Sequence, residues 1–181
     1  RRQASLVEKP VGEGRVVLAH AIQLSTGGLP LIYLGDEVGQ LNDYSYADDP
    51  EHRGDSRWVH RGRRPDERYA QKSDATTAAG RIYDRLTRLI AVRKATPEFG
   101  GNDLIGFHAS APGVLGYQRP GDGTVVLVLA NVGDHAAHVY PRTLGGFAAE
   151  ATDLVADAPV DLTEGLTVPA CGFLWLRVTP R

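Results

Sequence analysis

The chain has 181 residues, 42% of them hydrophobic, and its 20 Lys and Arg against 22 Asp and Glu leave a net charge of −2. That length holds one large domain or a small domain plus part of another, and the near-neutral balance excludes the clustered basic surface that grips nucleic acid. No apolar stretch approaches the roughly 20 residues that cross a bilayer, so neither nucleic acid nor membrane is an expected partner.

The chain contains no Met and opens Arg1-Arg2. The expectation is the C-terminal part of a larger enzyme, with much of the chemistry on residues upstream. No apolar core follows the arginines, so no signal peptide is visible; a bacterial cytoplasmic location is expected, with secretion left open. Gly12 to Gly14 ends an irregular opening. Arg15 to Leu24 then predicts a helix, with Val16, Val17, Ala19, Ala21, Ile22 and Leu24 on its apolar face, stopped by Gly27-Gly28. Leu31-Ile32-Tyr33-Leu34, bounded by Pro30 and Gly35, reads as a short strand buried on both faces. Helix, glycine turn and buried strand are half of a repeating helix–strand unit, which predicts an α/β architecture. A strand that opens into a long functional loop is how parallel barrel enzymes build their sites.

Gly35 to Asp74 has little periodicity, and loops of that length are usually functional or disordered. Tyr44, Tyr46, Trp58 and Tyr69 argue against disorder. Ala75 to Ala95 is the clearest helix, capped by Asp74 or Ser73 and ended by Pro97 and Gly100-Gly101. Beyond Gly101 the period becomes two. Residues 104–107, 114–117, 125–130, 137–140, 166–168 and 173–178 predict short strands between turns such as Pro120-Gly121-Asp122-Gly123, the pattern of an antiparallel sandwich. The expected fold class is therefore α/β plus all-β. Residues 1–98 form an α/β segment and residues 99–181 a C-terminal β-sandwich.

Asp36 and Glu37 are adjacent carboxylates at the predicted strand end. Successive strand side chains point to opposite faces, whereas the acid pair of a retaining glycosidase lies about 5 Å apart across one bond. Support of the loop is the expected role of both. Arg57, mid-loop between Ser56 and Trp58, is a better binding candidate, because an aromatic can anchor it and a guanidinium binds carboxylates and sugar hydroxyls without titrating. Its plain alternative is a solvated arginine among Arg53, Arg61, Arg63, Arg64 and Arg68. Tyr44, Tyr46 and Trp58 have the chemistry to stack on sugars, but loop packing is the favoured use of each. The run Arg61-Gly62-Arg63-Arg64 hints at an anion contact, yet Asp55, Asp66 and Glu67 flank it, so a mixed solvated face is expected.

A single cysteine, Cys171, rules out an internal disulfide and reads as a buried, inert thiol. The six histidines come without the partner ligands of a zinc site, and Gly27-Gly28 and Gly100-Gly101 lack a phosphate-cradling spacing. No metal and no cofactor are expected.

Residues 28–39, Gly28-Leu29-Pro30 through Gly39, resemble strand eight of the (β/α)8 barrel in the α-amylase superfamily, glycoside hydrolase family thirteen. More narrowly, Leu24 to Gly28, Gln40 to Asp43, Asp55 to Trp58, His60-Arg61, Tyr69 to Gln71, Thr77 to Gly80 and Ile90 to Arg93 resemble amylosucrase-type enzymes. The resemblance covers nearly the whole chain from Arg15 onward. It implies that residues 1–98 are the last part of the barrel, and that residues 99–181 are the family's domain C. It also implies retaining glucosyl transfer from sucrose to an α-1,4-glucan with release of fructose. The nucleophile, the acid/base and the stabilising aspartate fall on earlier strands, so no catalytic residue is expected here and this chain alone is predicted inactive. The remainder of the barrel is then an expected partner, with sucrose and α-glucan as substrates. Arg57 resembles a loop arginine that pairs with an upstream acid and closes the glucose pocket, supported by Asp36, Glu37, Asp55 and Trp58. The chain departs from the pattern at Arg61-Gly62-Arg63, where a proline is usual, which leaves acceptor-side details open. The alternatives are another enzyme of the superfamily (sucrose hydrolase, α-glucosidase or isomerase) and a non-catalytic glucan-binding module.

Overall fold

The computed structural model describes residues 10–181; Arg1-Arg2 and the rest of the opening to Lys9 lie outside the described residues. The chain divides into two compact units: residues 32–84 with the described residues up to Glu13, and residues 14–31 with 85–181.

The larger unit is built on a six-stranded antiparallel sheet. Its strands are β1 (Ile105–His108), β2 (Val114–Pro120), β3 (Val125–Asn131), β5 (Glu150–Asp153), β6 (Ala158–Asp161) and β8 (Phe173–Val178), in the order β1-β2-β3-β8-β5-β6. A second layer pairs β4 (Ala137–Val139) with β7 (Leu166–Val168). Every residue of β3 is buried, so both faces of the main sheet are covered there. Register shows how. Leu127 opposes Leu176 and Val125 opposes Val178, and this face packs with Val139, Leu166 and Val168 of the second layer into the sandwich core. Full burial of each such aliphatic side chain is worth about 1.5–3 kcal/mol over exposure. On the other face Tyr117 opposes Val128 and Val128 opposes Trp175. That face meets helical segments: Tyr117 Oη lies 2.6 Å from Ser25 Oγ, and Trp175 meets the Phe99 ring edge-on at 4.8 Å.

Helix α1 (Pro10–Ser25) begins five residues before the predicted start and passes through Gly12 and Gly14. Mid-helix glycine costs about 1 kcal/mol, but Gly14 lies against Cys171, whose carbonyl oxygen a Cβ would meet at 3.4 Å. Packing thus overrides propensity there, and Cys171 is itself buried and unpaired. A short helix, α2 (Asp66–Ala70), follows in the loop region. Helix α3 (Ala78–Ala95) begins three residues later than predicted. Its cap is Thr77, whose Oγ1 accepts from Gly80 N at 3.1 Å. Asp74 instead closes a preceding turn by accepting from Thr76 N at 2.9 Å. At the far end of α3, Arg93 donates to Leu24 O and, at 3.0 Å, to Gly28 O, satisfying carbonyls left over where α1 ends.

Three sequence expectations change. Leu31–Leu34 forms no strand, and Leu31, Tyr33 and Leu34 are 72%, 50% and 58% exposed. A strand buried on both faces needs neighbours on both sides, and among the described residues none flanks it. Strands β5 and β6 went unpredicted because Glu150-Ala151-Thr152-Asp153 and Ala158-Pro159-Val160-Asp161 are four residues each, with one buried side chain, Ala151, between them, too short a run for alternation to read. Strand β4 stops at Val139, not Tyr140, because Pro141 opens a one-turn helix, α4 (Pro141–Leu144).

Candidate functional site

The candidate site is the loop that follows the Leu31–Leu34 segment. Its first bend is a glycine requirement. Gly35 has φ 100°, in the left-handed region, and its carbonyl accepts from Gln40 N at 2.8 Å. A single 3-10 turn, Asp36–Val38, follows. Inside it Glu37 folds back: Oε2 accepts from Gly35 N at 2.9 Å and Oε1 accepts from Tyr69 Oη at 2.5 Å. Burial and that bond to Glu37 both raise the Tyr69 pKa. One carboxylate therefore ties the start of the loop to α2. Asp36 N donates to Tyr33 O at 3.0 Å. The pair lies in a 3-10 turn and not at the end of a paired strand.

The two halves of the loop are zipped together. Asp43 N donates to Val59 O at 2.8 Å, and Gln40 Nε2 donates to Arg63 O at 2.9 Å. Gly62 lies against this seam, where a Cβ would approach Asp43 Cβ and Gln40 Nε2 at 3.1 Å each. His60 Nδ1 and Asn42 Oδ1 add a 3.0 Å contact.

After a 3-10 turn at Ser45–Asp48, a third 3-10 helix runs from Ser56 to His60, and Asp55 caps it by accepting from Arg57 N at 3.0 Å. The same carboxylate takes the Arg57 guanidinium: Nε lies 2.8 Å from Oδ1 and Nη2 lies 2.7 Å from Oδ2. These bonds, led by the Arg57 side chain, pull the Asp55 pKa down to about 2. The Arg57 side chain is 73% exposed. It is held by its own loop, two residues away.

Next to this pair lies a hollow of about 580 Å³, lined by Gln40, Asp43, Ser45, Tyr46, Asp49, His52, Trp58, Arg61, Gly62 and Arg63. Of the residues predicted from the sequence as site members, Trp58 lines it, while Arg57, Asp36, Glu37 and Asp55 do not. Trp58 is already stacked, with the His52 ring at 3.7 Å and the Arg61 guanidinium at 5.6 Å. His52 Nδ1 in turn lies 2.9 Å from Asp49 Oδ2. The Asp49–His52 pair escaped sequence reasoning; its only trace was an acid three residues before a histidine. The expected mixed solvated face holds for Arg64, which pairs with Asp66 and lies over Tyr69 at 4.1 Å. Arg61 and Arg63 are exposed as well; neither makes an ion pair among the described residues, and Arg61 lies near enough to Asp55 to help lower its pKa. No group of three or more His, Cys, Asp or Glu among the described residues is arranged to hold a metal ion.

No protein-family model matches the chain. Over 179 residues, 98% of its length, the chain is 28% identical to the glucosylglycerate phosphorylase of Escherichia coli K12, and the match covers 30% of that protein. It superposes on an Anoxybacillus α-amylase with a TM-score of 0.64 at 17% identity, covering 93% of this chain and 33% of that one. An α-amylase from Geobacillus thermoleovorans, solved with acarbose, gives a TM-score of 0.61 at 16% identity, covering 92% and 33%. An AmyP variant in complex with maltotriose gives 0.71 at 13% identity, covering 96% and 36%. The fold is that of the C-terminal region of an α-amylase. The antiparallel β-sandwich corresponds to that region's β domain, and the chain spans about a third of the length of these relatives.

Proposed function

We propose that this chain is the C-terminal portion of a retaining glucosyl-transferring enzyme of the α-amylase superfamily. The observation that carries this reading is similarity along 98% of the chain to a glucosyl-handling enzyme, together with an α-amylase fold. Residues 1–98 would complete the (β/α)8 barrel and residues 99–181 would form domain C. The exposed Leu31, Tyr33 and Leu34 suit a strand that gains its neighbours from barrel segments outside these residues. The nucleophile, acid/base and stabilising acid belong to those segments, and this chain alone is inactive.

The donor in this reading is sucrose and the acceptor an α-1,4-glucan, with fructose leaving. Support comes from the amylosucrase-like run through Gln40–Asp43, Asp55–Trp58 and His60-Arg61. Arg57 fixes the donor glucose, positioned by Asp55, while Glu37 with Tyr69 holds the loop. A second reading keeps the glucosyl transfer and changes the acceptor to phosphate. The 28% identity to a phosphorylase favours it. Incubating the full-length protein with sucrose, then with sucrose plus amylose or inorganic phosphate, separates the two. Fructose release with glucan growth supports the first, and glucose 1-phosphate supports the second. Release of neither, by a folded full-length protein offered sucrose or glucosylglycerate, overturns both.

A further inference from the structure

We infer that the hollow between residues 40 and 63 is an oxyanion subsite, in which Arg61 and Arg63 hold a phosphate or carboxylate group. The inference rests on the second form of the transfer reading, with a charged acceptor, for what the anion does, which is to bring that acceptor to the sugar. The site itself follows from the loop. Gly62 lets the Arg61–Arg63 backbone press against the Gln40–Asp43 wall, where a Cβ would meet Asp43 Cβ and Gln40 Nε2 at 3.1 Å. Gln40 Nε2 fixes Arg63 O at 2.9 Å, and Val59 O holds Asp43 N at 2.8 Å. With the backbone pinned, both arginines line the hollow.

Two carboxylates share that space and keep their charge, but each is held by donors of its own, which leaves the two guanidinium charges to set against them. Asp43 Oδ1 accepts from Ser45 N at 2.9 Å and from Ser45 Oγ at 2.6 Å. Those bonds keep the Asp43 carboxyl ionised, below its ordinary pKa. Asp49 Oδ2 faces His52 Nδ1 at 2.9 Å and its Oδ1 accepts from Glu51 N at 2.9 Å. Neighbouring arginines show what a satisfied guanidinium looks like here: Arg57 is bound by Asp55, Arg64 by Asp66 and Arg81 by Glu13. Arg61 and Arg63 make no ion pair or hydrogen bond to a carboxylate among the described residues; Arg61 only helps lower the Asp55 pKa through space. Arg61 lies over Trp58 at 5.6 Å, and a ring contact orients a guanidinium without consuming its donors. Two planar forks beside one cavity match the oxygens of a tetrahedral phosphate or a planar carboxylate, a geometry a lysine does not reproduce.

The test is calorimetric titration of the full-length enzyme with inorganic phosphate and, separately, with D-glycerate, at fixed ionic strength. Arg61→Gln and Arg63→Gln are compared with wild type and with Arg53→Gln, a loop arginine outside the hollow. Saturable binding is expected for at least one anion. Each hollow variant should raise Kd about tenfold or more, while Arg53→Gln stays near wild type. Binding of phosphate alone, or of glycerate alone, assigns the source of the oxyanion. Absence of saturable binding of both anions overturns the subsite, as does equal weakening by Arg53→Gln, which would mark a diffuse surface effect. Both arginines are exposed, so the variants should melt with the wild type. Sugar turnover distinguishes the two claims. Arginine-dependent anion binding in a protein that cleaves neither sucrose nor glucosylglycerate leaves the subsite and removes the transfer reading. Sucrose cleavage without saturable anion binding does the reverse.

Discussion

Arg177 meets Glu98 across 79 residues of sequence through two parallel hydrogen bonds, Nε to Oε1 at 2.7 Å and Nη2 to Oε2 at 2.9 Å. The Glu98 carboxylate is buried, and Thr124 Oγ1 donates a third bond at 2.9 Å. Burial pushes the Glu98 carboxyl up, but the bonds from Arg177, its own backbone and Thr124 outweigh it and leave the pKa below the ordinary value. A group whose folded pKa is depressed adds stability above its unfolded pKa, about 4.3 for glutamate, and that stability is lost as pH falls through the folded value. The melting temperature should therefore drop on acidification below about pH 4.3, and Glu98→Gln should flatten that acid limb. Identical acid limbs for the two proteins would show that the pair carries no linked proton. Arg177→Met strands the carboxylate with Thr124 and its own backbone N–H. Because Arg177 is partly exposed, we expect a cost of about 2–3 kcal/mol, below the range for fully buried pairs, read by chemical denaturation.

Arg119 is a different kind of buried cation. It is fully buried and forms no ion pair among the described residues; it donates instead to carbonyls, Ser25 O at 2.9 Å, Glu98 O at 3.4 Å and Gly101 O. Ser25 ends α1, and Glu98 lies in the 3-10 turn Pro97–Gly100, so partial negative charge at helix ends compensates the guanidinium. Burial lowers its pKa. Arg119→Met should cost about 2–5 kcal/mol, since it orphans several buried carbonyls at once. Arg119→Lys should recover only part, because a point ammonium does not span carbonyls held apart by the fork. Full recovery by lysine would show that charge alone matters.

The β domain was legible because its core strands carry the signal that burial leaves. Val125 to Ala130 is apolar throughout and is covered on both faces, and Leu166-Thr167-Val168 alternates as a strand with one buried side does. Glu150–Asp153 and Ala158–Asp161 were illegible because each is only four residues long: β5 sits between β8 and the edge strand β6 with a single buried side chain, Ala151, and backbone pairing leaves little trace in side-chain chemistry. Leu31–Leu34 shows the opposite case: its composition encodes burial that these residues alone do not supply. In the loop, composition pointed to Trp58 and Arg57, and the resemblance set Asp55 in support, but the contacts themselves were not readable. Sequence spacing does not reveal that Asp55 curls back onto Arg57, or that His52 lies on Trp58, because both depend on 3-10 turns that have no apolar period.

Gly35 sets the path of the whole loop. Its φ of 100° strains any other L-residue, and a Cβ would lie 1.9 Å from Gln40 Oε1 and 2.8 Å from Gln40 Cβ. Gly35→Ala should therefore displace Gln40, release Arg63 O and open the seam, at a backbone cost of about 1–3 kcal/mol. The expected readout is faster hydrogen exchange and proteolysis within residues 35–63, with the β domain unchanged. Gly35→Ala combined with Gln40→Ala removes the contact with Gln40 Oε1 but keeps the 2.8 Å approach to the residue-40 Cβ and the torsion, and it deletes the Nε2 donor to Arg63 O, so protection should not return. Unchanged exchange in the single variant would show that the loop accommodates the bend another way.

Asp55 and Arg57 form the last pair to test. With its pKa drawn to about 2 by the Arg57 side chain, Asp55 stays ionised from pH 5 to pH 8, so the guanidinium keeps its charged partner across that window. If Arg57 fixes the donor glucose, Arg57→Ala in the full-length enzyme should lower sucrose turnover on the order of 100-fold through lost positioning. Its melting temperature should not move, because the side chain is largely exposed. Asp55→Asn should lower turnover less, since it leaves the charge and frees its direction. That loss should be constant from pH 5 to pH 8, because wild-type Asp55 does not titrate in that window. Near-normal turnover by Arg57→Ala, with the enzyme folded, would assign the Asp55–Arg57 fork to loop structure alone.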